Sequence, residues 1–401
     1  MNPQSTFCPN YNCSSRGKQA RGNIIFHDVH RDRLKCLTCG KTFRATQGTL
    51  FHGKKYPPET ILSVVTLLAF ACPIQAIVHA LYIDERTVKS WQKQAGEHCE
   101  KFHEEKVLHT KMDLKQVQAD EMYVKLQKRK VVWMAMAMCA STRLWLGGIV
   151  SASRNQKMLQ QLANKVKSCS MLAPILLITD GFRGYVKVWK RAFSDPERTG
   201  KRGRPALIER ANVVIAQMVK QYEHGHVVGI EERLIQGKPE LLASLLGEGR
   251  KISTAYIERI NATFRSRCHE LVRRVRGQAR KAETITACMY LVGCLYNFCK
   301  PHTSLSKKSY QTPAMAAGLT NFIWSVENVT RYRFAPPPYI EPKRRGRKPK
   351  IKDSDLKGGE VGCRIMRSCL ERFPPQLREK KCYGTYHNST DQFYYGYGTF
   401  Q

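Results

Sequence analysis

Acidic residues are scarce in this chain: 32 Asp and Glu stand against 67 Lys and Arg in 401 residues, a formal net charge of 67 − 32 = +35. That excess goes far beyond what solubility needs, and its natural counterpart is a polyanion, nucleic acid foremost. Long apolar runs are lacking as well. The most lipophilic stretch, Ile61 to Leu81, is interrupted by Ser63, Thr66, Pro73, Gln75 and His79, which argues for two packed helices and against a membrane span. The opening residues, MNPQSTFCPNYNC, carry no apolar core of the secretion-leader kind. The basic residues are spread along the whole chain instead of forming one amphipathic helix, which disfavours a membrane surface as the partner. The expectation is an intracellular, DNA-associated protein with no membrane partner and no small-molecule cofactor.

Cysteine is abundant. Fifteen of them, an odd number without a secretion leader, point to a reducing compartment in which they are thiols or metal ligands. Cys8 and Cys13 are separated by four residues and Cys36 and Cys39 by two, the second pair continuing as CLTCGKTF. Each pair can present two thiolates from a tight turn, and two such turns close a tetrahedral structural Zn²⁺ site. Between them, Gly22 to Leu34 reads as β-like sequence, as in a zinc ribbon. The plainer alternative is four unrelated buried thiols. His27 and His30 are read as surface residues of the hairpin, because four cysteines already suffice.

From Pro58 to Phe102 the apolar spacing turns helical. Ile61, Val64, Val65 and Leu68 share one face, Ile74, Ile77, Val78 and Leu81 the next, and after a break at Tyr82 to Asp84 a third helix follows. In it Val88 and Trp91 face inward while Arg86, Lys89, Gln92 and Lys93 face out, the arrangement of a helix-turn-helix recognition helix for a major groove. An ordinary three-helix bundle with a solvated basic face has the same pattern.

Three acids stand out against the basic background: Asp120 in QADEMYV, Asp180 in LLITDGF and Glu258 in AYIERIN. The first two lie in apolar, strand-like runs, where a lone carboxylate is costly unless a cation pairs with it. Strands are expected at Gln116 to Leu126, Val131 to Ala140, Leu144 to Val150 and Ile175 to Thr179, with a helix at Asn155 to Lys167. Three hairpin-like strands, a helix and a strand is the order of a ribonuclease H-like α/β sheet, in which the first and fourth strands lie side by side. Glu258 belongs to an expected helix from Ser253 to Val275, with Asn261, Arg265 and His269 on one polar stripe. Three such carboxylates would hold two Mg²⁺ or Mn²⁺ ions about 3.5–4 Å apart for phosphodiester displacement. Glu121 is left out of the set, because alternation along a strand points it away from Asp120.

On the strings Asp120-Glu121, Thr179-Asp180-Gly181 with Tyr185, and Ile257-Glu258-Arg259 with Asn261, the chain resembles DDE transposases of the insertion-sequence-one type and their longer relatives. Those relatives also open with a cysteine zinc ribbon and a helix-turn-helix, and the segment from Tyr296 to Leu319 is similar to the stretch that closes their catalytic domain. The resemblance spans about Cys8 to Val329. It implies a catalytic triad at Asp120, Asp180 and Glu258, zinc ligands at Cys8, Cys13, Cys36 and Cys39, and cleavage of element ends followed by 3′-hydroxyl attack on target DNA. The chain is longer than the compact members, with an insertion expected from about 194 to 251.

Two basic segments complete the reading. Lys201 to Pro205 and Lys343 to Pro349 each contain an Arg-Gly-Arg core, so Arg202 with Arg204 and Arg345 with Arg347 resemble AT-hooks for the minor groove. Solvated basic loops that attract phosphates without preference would carry the same residues. The expected architecture is a zinc ribbon (1–55), a helix-turn-helix (56–110), a ribonuclease H-like catalytic domain (111–330) and a basic tail (331–401) that is low in apolar content and mobile. Double-stranded DNA is the expected partner, reached through Arg86, Lys89, Lys93, Arg202, Arg204, Asn261, Arg265, Arg345 and Arg347, and synapsis of two ends calls for a homo-oligomer. A non-catalytic regulator of transposase descent and a metal-dependent nuclease are the alternative functions.

Overall fold

The paired cysteines and the β-branched residues between them build the first sheet along the chain. In the computed structural model, which describes residues 3–198, 200, 205–272, 278–306, 310–337 and 339–340, strands β1 (Ile24–Asp28), β2 (Arg33–Cys36) and β3 (Thr42–Arg44) form an antiparallel sheet in the order β1-β2-β3. Its small core is Ile24, Leu34, Phe43 and the cysteines themselves. Helices α1 (Pro58–Ala69), α2 (Ile74–Leu81) and α3 (Glu85–His103) follow at the spacing the sequence predicts. Tyr82, in the left-handed region at φ 53°, ends α2, and the Asp84 side chain caps α3 by accepting from the Arg86 and Thr87 amides at 2.8 and 3.4 Å.

The central sheet has six strands: β4 (Gln116–Lys125), β5 (Val131–Cys139), β6 (Trp145–Ser151), β7 (Ile175–Asp180), β10 (Val213–Glu223) and β11 (His226–Gln236), in the order β11-β10-β7-β4-β5-β6. The short strands β8 (Ser194–Glu197) and β9 (Ala206–Glu209) pair only with each other. Helix α4 (Gln156–Cys169) crosses from β6 to β7, and α5 (Arg183–Phe193) leaves β7. Strands β4 and β7 are parallel neighbours, as expected, while β4-β5-β6 is an antiparallel meander. This mixed sheet with its helices is consistent with a ribonuclease H-like core.

The segment expected to be an insertion, about 194 to 251, is partly core. Strand β10 runs parallel to β7 with its first six residues buried, and β11 completes the sheet edge. The reason is in the run Val213 to Met218, apolar enough to be covered on both faces.

After α6 (Pro239–Leu246) come α7 (Ala255–Arg267), α8 (Ala282–Phe298), α9 (Pro313–Ala316) and α10 (Val326–Arg331). The α7 helix is shorter than the sequence predicts: the backbone turns extended at Cys268 (φ −113°, ψ 110°), which forms a disulfide with Cys288 of α8. This corrects the expectation that every cysteine is a thiol or a metal ligand. Helix α8 is buried nearly all round and packs along α3, where a Cβ on Gly96 would come within 2.3 Å of the Ala287 Cα. The three-helix unit is therefore built onto the sheet domain. Gln92, expected on the outer face of α3, is buried and donates from Nε2 to Glu270 Oε1 at 2.6 Å.

Residues after Val326 return to the N-terminal region instead of leading away from it. The Leu50 amide donates to the Thr330 carbonyl at 3.1 Å, His98 Nε2 donates to the Val329 carbonyl at 2.8 Å, and Arg333 donates to the Ala45 carbonyl. Among the described residues no helix is long and apolar enough to cross a membrane. Arg202, Arg204, Arg345 and Arg347, and with them both AT-hook-like segments and the tail from 341 onward, lie outside the described residues.

Candidate functional site

The thiol cluster forms where β1-β2-β3 brings the two turns together. Cys8 Sγ lies 3.6 Å from Cys39 Sγ, and Cys13 Sγ 3.9 Å from Cys36 Sγ. Tetrahedral zinc with bonds of about 2.3 Å sets sulfurs about 3.8 Å apart, so the four donors fit Zn²⁺ and can hold it. Burial pushes the Cys8 and Cys13 thiols up. Burial acts the same way on Cys39, but hydrogen bonds from Asn10 and the Lys41 backbone outweigh it and bring that thiol to about 7. Asn23 Nδ2 donates to Cys36 Sγ at 3.5 Å, an outer contact of the kind that orients a metal ligand. His27 and His30 are exposed and outside the cluster, as expected.

The carboxylates converge at the carboxyl end of the parallel pair. The paired register Gln116↔Leu176, Val117↔Leu177, Gln118↔Ile178 ends two residues short of Asp120 and Asp180, whose side chains come together just past it. Oxygens of Asp120, Glu121 and Asp180 lie within 4.8 Å of one another, and such a group can bind a divalent ion. Burial first, then the Glu121 carboxylate, raises Asp120 to about 6. Asp120 Oδ1 accepts from the Glu121 amide and Oδ2 from Asn261 Nδ2, each at 2.8 Å. Asp180 Oδ1 accepts from the Phe182 amide at 3.0 Å, and its carbonyl accepts from Gln217 Nε2 at 2.8 Å.

Glu258 stands outside that group. Its Oε1 accepts from Lys220 Nζ at 2.7 Å and from Thr254 Oγ1 at 2.9 Å. Burial opposes its ionisation, but these two donors outweigh it and hold the carboxyl below the usual range. Glu258 is near enough for its charge to contribute, as the smallest cause, to the upward shift of Asp120. Helix α7 is fixed against the sheet by Gln118, wholly buried, which accepts from the Ile257 amide at 3.0 Å and donates to the Ser253 carbonyl at 2.7 Å.

Two expectations change at this pocket. Glu121, excluded by strand alternation, joins the group: β4 has no β7 partner beyond Gln118, so side chains from both its faces can turn into the open edge. Asn261, expected at DNA, is buried and holds Asp120. The sequence did not reveal Gln118 or Arg154. The only signal for Gln118 is a polar residue inside an apolar strand; Arg154, in the turn SASRNQ, has none.

The outer face of α3 borders a groove of about 530 Å³ lined by Lys54, Lys55, Arg86, Thr87, Ser90 and Gln94 among others. Lys54 donates to Gln94 Oε1, and burial lowers its affinity for its proton. Of the side chains expected at DNA, Arg86 lines this groove, whereas Lys89 pairs with Glu85 and Lys93 with Glu97 on the same helix. Arg265 is half-buried on α7. Neither a protein-family model nor a curated protein sequence matches this chain.

Proposed function

We propose that the chain is a DDE transposase that binds the ends of an insertion element and carries out metal-dependent strand cleavage and strand transfer. The observation that carries this reading is the convergence of Asp120 and Asp180 on neighbouring parallel strands, with Glu258 of α7 near enough for its charge to act on Asp120. Two Mg²⁺ or Mn²⁺ ions bound there would activate the attacking oxygen and stabilise the leaving one. In this reading the chain's own residues do the positioning. Asn261 and the Glu121 amide fix Asp120, the Phe182 amide fixes Asp180, and Gln118 sets the start of α7.

Double-stranded DNA is the partner that the charge of +35 and the Lys54–Lys55–Arg86 groove favour. The zinc-binding turns, as a zinc ribbon, and α3, as a recognition helix, would extend one basic surface. Homo-oligomerisation follows from the need to hold two ends at once.

A non-catalytic regulator is the second reading, and one observation favours it: Glu258 is tied to Lys220. Mg²⁺-dependent nicking of end-containing DNA by wild type and Asp180→Asn separates the two. The enzyme reading expects nicking that falls by about 10³-fold in the variant; equal activity in both, or none in either, defeats it. Joining of the cut end to a target plasmid then separates a transposase from a nuclease.

A further inference from the structure

Glu121 has the environment of a metal ligand held ready. Its side chain is only 1% exposed, and one oxygen, Oε1, pairs with Arg154. The other, Oε2, is buried with no hydrogen-bond partner among the described residues. A carboxylate oxygen in that position loses its hydration without compensation unless a cation meets it. The Tyr185 hydroxyl, wholly buried and close to all three acids, interacts with Glu121, but the two make no hydrogen bond of good geometry. A buried carboxylate oxygen and a buried hydroxyl, poorly aligned with each other, thus lie at one small acidic pocket.

Arg154 is itself fixed. Its guanidinium lies 3.8 Å from the centre of the Phe182 ring and 5.2 Å from that of Trp133. Phe182 is also the residue whose amide holds Asp180, so one short turn orients both an acid of the pocket and the cation that grips Glu121. Glu258 is arranged in the opposite way: nearly half exposed, with Oε1 already accepting two hydrogen bonds.

We propose that the resting chain binds its first divalent cation through Asp120, Glu121 and Asp180, with Arg154 as the positioning residue for Glu121. Glu258 then completes the site only when a DNA phosphate draws Lys220 away. The proposal rests on the metal-dependent reading above but concerns the protein without DNA. Lys220 can serve as the latch because a phosphodiester competes for the same ammonium.

The test is calorimetric titration of Mn²⁺ into the zinc-loaded full-length chain without DNA, with Mn²⁺ electron paramagnetic resonance to count the ions bound. Wild type is expected to bind Mn²⁺, with Glu121→Gln and Asp180→Asn weaker by about tenfold or more, Arg154→Lys weaker by a smaller factor, and Glu258→Gln within about twofold of wild type. Adding duplex DNA should tighten Mn²⁺ binding in wild type and not in Glu258→Gln. Should Glu121→Gln fail to fold, Glu121→Asp keeps the charge toward Arg154 while shortening the reach, and the same weakening is expected. A Glu258→Gln protein that binds as weakly as Asp180→Asn, or a Glu121 variant that binds as wild type does, overturns the proposal, as does a wild type that takes up no Mn²⁺. Mn²⁺ bound as expected by a protein that never nicks DNA would defeat the transposase reading and leave this one standing.

Discussion

The four-thiol cluster and the three-carboxylate pocket both crowd groups of like charge, and they relieve the crowding differently. In the thiol cluster burial pushes Cys8 and Cys13 up, so these two can keep their protons without a metal, while hydrogen bonds bring Cys39 down, and the sulfurs already sit at zinc spacing. The carboxylate pocket shares its charge with fixed partners instead: Arg154 on Glu121, Asn261 on Asp120, and Lys220 on Glu258 at its edge. The first cluster is drawn from 32 consecutive residues, Cys8 to Cys39, with a core of few residues besides the cysteines themselves. The second is seated on a six-stranded sheet with an extensive buried core. Metal should therefore decide the fold of one and the chemistry of the other.

The largest expected effect of that difference is on zinc. Removing it by a chelator, or by Cys36→Ser, should cost the β1-β2-β3 region about 10 kcal/mol or more of binding free energy, seen as loss of one bound zinc and of amide protection there. The Mn²⁺ affinity of the acidic pocket should not move; a parallel fall would show that the two clusters are coupled.

Next is the pH response of the acidic pocket. Asp120 is raised from 3.8 to about 6 in the folded chain, so its contribution favours the folded state below about pH 4 and is lost as pH rises through about 6. Metal-free Asp120→Asn should thus exceed wild type in stability by at most about 3 kcal/mol at pH 8, with the gap closing toward pH 4. Denaturation series at the two pH values check this, and a gap that stays constant would contradict the burial argument.

Gln118→Leu should cost about 1–3 kcal/mol, because the Ile257 amide loses its acceptor and the Ser253 carbonyl its donor. Amide exchange at the start of α7 should quicken more than elsewhere, whereas uniform quickening would mean that Gln118 does not pin this helix. The smallest effect is expected of Lys220→Ala. Its partly exposed pair with Glu258 is worth about 0.2–1 kcal/mol in denaturant unfolding, and a larger loss would make that pair structural instead of a latch.

The same contrast explains what was legible in the sequence. Cysteine spacing is local, so Cys8, Cys13, Cys36 and Cys39 could be grouped before any fold was known. Helical periodicity gave the apolar faces of α1 and α2 and the break before α3, and Asp120 and Asp180 were expected side by side from the order of strands. On the sequence Glu121 is left out because alternation points it away from Asp120, but where β4 runs past its pairing with β7 after Gln118 carboxylates from both faces come within 4.8 Å of one another. Strand β10 was hidden inside a presumed insertion, since the polar stretch before it reads as loop while Val213 to Met218 is buried beside β7. Gln92 was placed outside because nothing on α3 itself announces Glu270, 178 residues away, as its partner. What escaped the sequence in each case was a tertiary neighbour.

Diffraction from crystals of the zinc-loaded chain soaked in Mn²⁺, recorded with the anomalous signal of manganese, tests the central claim most directly. The account predicts a manganese peak within bonding distance of both Asp120 and Asp180, with Glu121 beside it. Full occupancy of manganese elsewhere, with nothing between those two aspartates, would contradict it.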